Sequence, residues 1–214
     1  MTKTIIVPLA EGFEEIEAIT PIDVLRRAGF NVVTVDLDDS SKLERVVDKA
    51  FNIGTFLSGF AAPKRDRSVT GSHNIVITPD MSLGEVGDFT PDALVLPGGM
   101  PGAKNLGEHS GLKKLAERVA ESGGLLAAIC AAPAWTLGNW GLLAGHKATC
   151  FPGCESMFPN DVRYQDAAVV IDDTAKNKII TAKGAGAAMD FALAIVETFS
   201  GSQAAVDLKA KLQY

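Results

Sequence analysis

The sequence predicts an α/β fold in which helices pack against a mainly parallel sheet, and three observations carry that expectation. Short apolar runs rich in β-branched residues alternate with longer stretches of helical period, the signature of βαβ units. The runs IIVPL, DALVLPGG and LLAAIC are almost continuously hydrophobic, as strands covered on both faces are. Gly29, Gly123 and Gly201 stand just past helical stretches, where a residue without a Cβ ends a helix.

Taken in order, residues 4–9 form the first expected strand and 15–28 the first helix. Pro21 lies inside that helix; without an N–H, and with a ring that crowds the preceding turn, it predicts a kink or a late start. Strands follow at 31–36, 74–78, 93–96 and 125–129, then at 147–150, 168–171 and 179–181. The remaining helices are expected at 111–121, 132–140, 187–199 and 202–212, with apolar stripes such as Leu112, Leu115 and Val119, or Phe191, Ile195 and Phe199. The segment 37–72 breaks the alternation: it starts charged, turns apolar and ends basic, with neither period, and reads as an insertion in an otherwise single domain over 1–214. A hairpin, a lid, a subunit contact or a plain surface loop would all fit it.

Composition narrows the class. At 214 residues the chain is long enough to bury roughly 70% of its extended surface, so it needs no metal or disulfide scaffold. Its formal charge of −6 comes from 26 acids and 20 bases without a long basic run, which argues against a nucleic-acid partner. The longest apolar stretch, 125–135, contains a proline and is too short to cross a bilayer, and the first residues lack a signal-peptide pattern, so a cytoplasmic protein with no membrane partner is expected. Three cysteines are an odd number, and Cys150 and Cys154 have neither a second pair nor a nearby histidine. No metal site is expected, and a free thiol becomes the feature of interest.

In parallel sheets, ligands bind beyond the carboxyl ends of the strands. Cys130 falls there, between GGLLAAI and AAPAWTL, at a strand-to-helix turn whose small neighbours permit a nucleophile elbow. Amides at the start of the following helix would favour thiolate, although cysteine is also a common inert core residue. Gly98 and Gly99 end another strand and, with the N–H of Ala131, would form an oxyanion hole or carboxylate nest; a plain glycine turn is the other reading. Glu14, Glu15 and Glu17 crowd the start of the first helix, where carboxylates also serve as solvated caps, and two of the three are expected to do only that.

Four collinear segments, AEGFEEIEAITPIDVLRRAG (10–29), VLPGGMPGAKNL (95–106), AAICAAPAWTL (127–137) and TAKGAGAAMDFALAIVE (181–197), resemble the ThiJ/PfpI superfamily, specifically its parkinsonism-associated deglycase branch and the bacterial YajL-like members. The resemblance implies a flavodoxin-like three-layer α/β/α sandwich, a homodimer, and an oxidation-sensitive nucleophile at Cys130. It also implies that Glu17 is the protonated partner of that sulfur and that Gly98 and Gly99 supply amides. The activity implied is cofactor-free conversion of 2-oxoaldehydes, or of their protein and thiol adducts, by glyoxalase or deglycase chemistry. A redox-responsive chaperone or sensor working through Cys130 is the alternative, and a cysteine amidase or peptidase ranks third.

Departures from that pattern matter. Relatives often carry histidine where KATCFPG places Phe151, and this puts a simple Cys-His dyad in doubt. His73 stands where relatives carry arginine, which makes it a peripheral polar contact or a surface residue. His109 and His146 read as solvent-facing turn or helix-start residues. Cys150 and Cys154 read as packing residues ahead of resolving thiols, and GAGAAMDF as a tight strand-to-helix join with Met189 and Phe191 in the core.

Overall fold

The computed structural model describes residues 2–38, 67–173 and 177–214. Its strands are β1 (Thr4–Pro8), β2 (Asn31–Asp36), β3 (Val69–Thr70), β4 (Val76–Ile77), β5 (Met81–Ser82), β6 (Ala93–Leu96), β7 (Leu125–Ile129), β8 (Lys147–Ala148), β9 (Arg163–Tyr164), β10 (Val169–Asp172) and β11 (Lys178–Ala182). The central sheet has seven strands in the order β10-β11-β7-β6-β1-β2-β5. All its pairings are parallel except that of β10, which runs antiparallel to β11 on one edge.

Helices α1 (Glu15–Arg27), α2 (Leu83–Val86), α3 (Gly102–Glu108), α4 (Ser110–Glu121), α5 (Ala188–Ser200) and α6 (Ser202–Lys211) cover the two faces. Because side chains alternate along a strand, each buried strand feeds two cores. Ile5, Val7, Val95 and Ala127 pack with Ile22 and Leu25 of α1 and Phe191 and Ile195 of α5. On the other face Ile6, Leu94, Leu96 and Leu126 meet Leu106 of α3 and Leu112, Leu115 and Val119 of α4. At about 1.5–3 kcal/mol for each fully buried aliphatic or aromatic side chain, the two cores make this the expected flavodoxin-like three-layer sandwich. Among the described residues, no helix is long and apolar enough to cross a membrane.

Several local expectations are corrected. Residues 74–78 do not join the main sheet: β4 closes a two-stranded hairpin with β3, and the sheet edge is taken by β5 beside β2. Helix α3 was not read from the sequence, because its seven residues bury only Ala103 and Leu106 among larger apolar positions, too few to show a period. Residues 132–140 contain a π-helix over Pro133–Gly138 instead of a regular α-helix. The Thr136 hydroxyl donates to the carbonyl of Ala132, and the Asn139 N–H reaches back five residues to the Ala134 carbonyl at 3.2 Å, which is the wider turn. Helix α1 runs through Pro21 without a late start. The strand at 147–150 shrinks to β8, which pairs with β9 in a separate small sheet. Most of the 37–72 insertion, residues 39–66, lies outside the described residues; its end forms β3.

Candidate active site

The carboxyl ends of β1, β6, β7 and β11 converge on Cys130, as parallel topology requires. Cys130 follows β7 with φ of 65°, a left-handed conformation that costs a non-glycine residue roughly 1–3 kcal/mol. The surroundings hold it there: its N–H donates to the Ala182 carbonyl at 2.8 Å, and its own carbonyl accepts the Phe151 N–H at 2.7 Å. The elbow read from the sequence is therefore present, and its sulfur accepts the N–H groups of Ala131 and Gly99.

Glu17 sits in the first turn of α1 and is almost wholly buried. Glu14 precedes the helix and caps it, its Oε2 accepting the Glu17 N–H at 2.7 Å. This sets Glu17 to face the strand ends, where its Oε2 accepts the Gly98 N–H at 3.0 Å. The carboxyl also accepts the Ala185 N–H and is in hydrogen-bonding contact with the Cys130 thiol. Of the three amides named from the sequence, Gly99 and Ala131 point at sulfur, whereas Gly98 is engaged by Glu17. Gly98 is required by space: a Cβ there would lie 2.5 Å from Glu17 Oε2 and 2.7 Å from Cys130 Cβ.

Burial, reinforced by the charge of Glu14, pushes the Glu17 carboxyl up to about 7. Burial and the charge of Glu17 push the Cys130 thiol up to about 12, outweighing the Ala131 and Gly99 amides. The amides favour thiolate as the elbow alone implies, but burial and Glu17 outweigh them. Two acids in contact in one buried pocket disfavour each other's ionisation, so the pair titrates as a unit and the thiol keeps its proton after the carboxyl has lost its own.

Glu15 overturns its reading as a solvated cap. It is buried and accepts the His73 N–H at 2.6 Å, the His73 ring nitrogen at 2.9 Å and the Ile75 N–H at 3.3 Å. Burial works against its charge, yet these bonds prevail and hold it at about 2, while the same contact raises the His73 imidazole. Glu15 thereby pins the β3–β4 hairpin to the start of α1, and His73 stays largely exposed at the rim. Ligand atoms of Glu14, Glu15 and His73 lie within 4.8 Å of one another, but both Glu15 oxygens and one Glu14 oxygen are already occupied by N–H groups and the His73 ring.

His146 also departs from expectation: it is buried, with Nδ1 3.5 Å from Asp172 Oδ2, at the far end of β8 from the site. His109 caps α4, its ring nitrogen accepting the Leu112 N–H at 3.1 Å. Cys150 is fully buried and Cys154 packs against Trp135, both as free thiols in packing positions. Phe151 is 50% exposed. Sequence reasoning missed Ala185: GAGAAMDF had been read only as a join, although a glycine turn at the carboxyl end of a parallel strand is itself a signal for a ligand-facing amide.

The model of the DJ-1/PfpI family matches residues 3–198. The chain belongs to this family. Within it, the chain is 33% identical to Protein DJ-1 homolog B of Arabidopsis thaliana over 99% of its own length and 41% of that protein's, and it spans 46% of homolog A. Less than half of those two plant relatives is thus represented. It is 34% identical to the glutathione-independent glyoxalase DJR-1.2 of Caenorhabditis elegans over 78% of the chain and 86% of that protein. The solved structure of oxidized Toxoplasma gondii DJ-1 superposes with a TM-score of 0.81 at 32% identity, covering 100% of this chain and 99% of that one. Members of the DJ-1/PfpI family thus share its architecture over the whole described sheet.

Proposed function

We propose that this DJ-1/PfpI chain is a cofactor-independent cysteine enzyme of the glyoxalase type. It would turn 2-oxoaldehydes such as methylglyoxal, or their adducts with thiols and amines, into 2-hydroxy acids. One observation carries the reading: the buried hydrogen-bonding contact between the Glu17 carboxyl and the Cys130 sulfur. The C. elegans relative named a glyoxalase supports it.

The Glu17 carboxylate takes the Cys130 thiol proton as the sulfur attacks. Thiolate adds to the aldehyde carbon, the new oxyanion takes the Glu17 proton, and a hemithioacetal forms. The Glu17 carboxylate then moves the C1 proton to C2, while the hydroxyl proton on O1 passes to O2. This leaves a 2-hydroxyacyl thioester, which water cleaves at the C–S bond to release the acid and restore the thiol. C1 is oxidised as C2 is reduced, so no external electron carrier enters. The test is lactate formation from methylglyoxal by the purified chain: turnover that disappears in Cys130→Ser supports the reading, and equal rates in the two proteins would remove it.

A redox-responsive role is the second reading, favoured by the Ala131 and Gly99 amides and the Glu17 carboxyl around one sulfur, a set that would also hold sulfinate oxygens. Mild peroxide followed by intact mass and peptide mapping is expected to place the first oxygens on Cys130 ahead of Cys150 and Cys154. Amide hydrolysis has less support, since Phe151 stands where a histidine base would be wanted and His146 lies at the other end of β8. A cytoplasmic setting, which keeps thiols reduced, belongs to the same reading.

A homodimer is also part of it. Helix α1 leaves Ile16 and Ile19 exposed one turn apart, and the hairpin pinned to it by Glu15 exposes Ile75 and Val76. Such a patch on adjoining elements suits a second copy. Sedimentation is expected to show a dimer that Ile16→Glu converts to monomer; a monomeric parent chain would refute the assignment.

A further inference from the structure

The exposed ring of Phe151 is unexplained by the reaction just described, and its placement is not that of an ordinary surface aromatic. Its backbone is tied on both sides, the N–H donating to the Cys130 carbonyl at 2.7 Å and the carbonyl accepting the Cys154 N–H at 2.9 Å. The ring lies against Gly184, at the start of the turn that presents the Ala185 amide to Glu17. A Cβ on Gly184 would sit 3.6 Å from Phe151 Cδ2 and 4.0 Å from Glu17 Oε1. Ring edge and catalytic-pair carboxyl therefore flank the same glycine, and the missing side chain leaves the space between them open. The residue remains half-exposed.

In a 2-oxoaldehyde bound through C1 to Cys130, C2 must lie within reach of Glu17, and the substituent on C2 continues past the carboxyl. The Phe151 ring stands across Gly184 from that carboxyl, close enough to meet such a substituent. We propose that Phe151 is a specificity-determining residue, a wall that recognises the C2 substituent and makes aryl-substituted 2-oxoaldehydes better substrates than methylglyoxal. This rests on the glyoxalase reading for its substrate class, but the wall itself is a property of the site. Aromatic pairs gain from offset or edge-on contact beyond the area they bury, which a methyl group cannot match.

Two measurements separate the wall from the reaction. The first is the ratio of kcat/KM for phenylglyoxal to that for methylglyoxal, expected to be about tenfold in the parent chain, to fall about fivefold in Phe151→Ala and to be kept in Phe151→Tyr. The second needs no turnover: the rate of Cys130 alkylation by N-phenyliodoacetamide relative to iodoacetamide, each normalised to a free thiol. The aryl reagent is expected to be favoured in the parent and to lose that advantage in Phe151→Ala. If neither aldehyde is consumed but the alkylation ratio falls, the wall stands and the glyoxalase reading fails. If the aldehydes are consumed and Phe151→Ala changes neither ratio, the wall is overturned.

Discussion

Glu17→Gln is expected to stabilise the fold at pH 8 and to slow turnover about 10²–10⁴-fold in the same protein. Burial raises the Glu17 carboxyl from an ordinary 4.5 to about 7, so the folded chain binds that proton more tightly than the unfolded one. Stability from this group is therefore gained as pH falls from about 7 toward 4.5 and lost as pH rises through 7. A change of this size corresponds to at most roughly 3 kcal/mol, and incomplete burial makes about 1–2 kcal/mol the realistic gain for the uncharged glutamine at pH 8. The gain should shrink to nothing near pH 4.5, which a series of denaturation curves against pH would check. Equal stabilisation at both pH values would contradict a buried charge as the cause.

The same change removes the proton carrier. General acid–base groups contribute about 10²–10⁴ in rate, and a loss in that range of lactate formation is expected. Cys130 should ionise at lower pH in the variant, because the charge that helps hold the thiol up is gone. Faster alkylation alongside slower turnover would separate the role of Glu17 in moving protons from any role in making the thiolate.

Gly98→Ala carries the second large effect. The backbone of Gly98 does not need positive φ, so a methyl group fails there for lack of space alone. Its nearest neighbours would be Glu17 Oε2 at 2.5 Å, Cys130 Cβ at 2.7 Å and the Ile129 carbonyl oxygen at 2.9 Å, all closer than carbon tolerates. Overpacking of this kind costs about 1–3 kcal/mol. Because the groups that must move are the reacting pair, a displacement near 1 Å is expected to cost about 10²-fold in kcat/KM. Gly186→Ala, where a Cβ would meet nothing within 4 Å, is the matched control and should leave both quantities unchanged. Wild-type turnover by Gly98→Ala would show that Glu17 and Cys130 need not touch.

Legibility in the sequence followed the reach of each signal. The strands IIVP, ALVL and LLAAI are dense, local and apolar, and they form β1, β6 and β7. The elbow at Cys130 was readable because small residues on either side are a local requirement of a tight turn. Helix α3 was not, because seven residues with few large apolar side chains have no measurable period. Glu15 and His146 were misread for a common reason: each is buried by a partner distant in sequence, His73 for one and Asp172 for the other.

By itself the sequence determined the layered α/β architecture and the elbow at the end of β7 on which Cys130 sits. Periodicity and turn chemistry act over a few residues and leave a direct mark on composition. Glu17 as the acid beside that sulfur came from the resemblance of four collinear segments, while only the tertiary structure decided that Gly98 serves Glu17 and not an oxyanion, and that Glu15 is buried against the β3–β4 hairpin. Those properties depend on desolvation and contact among residues from four strand ends, and no local pattern encodes the dielectric in which two groups meet.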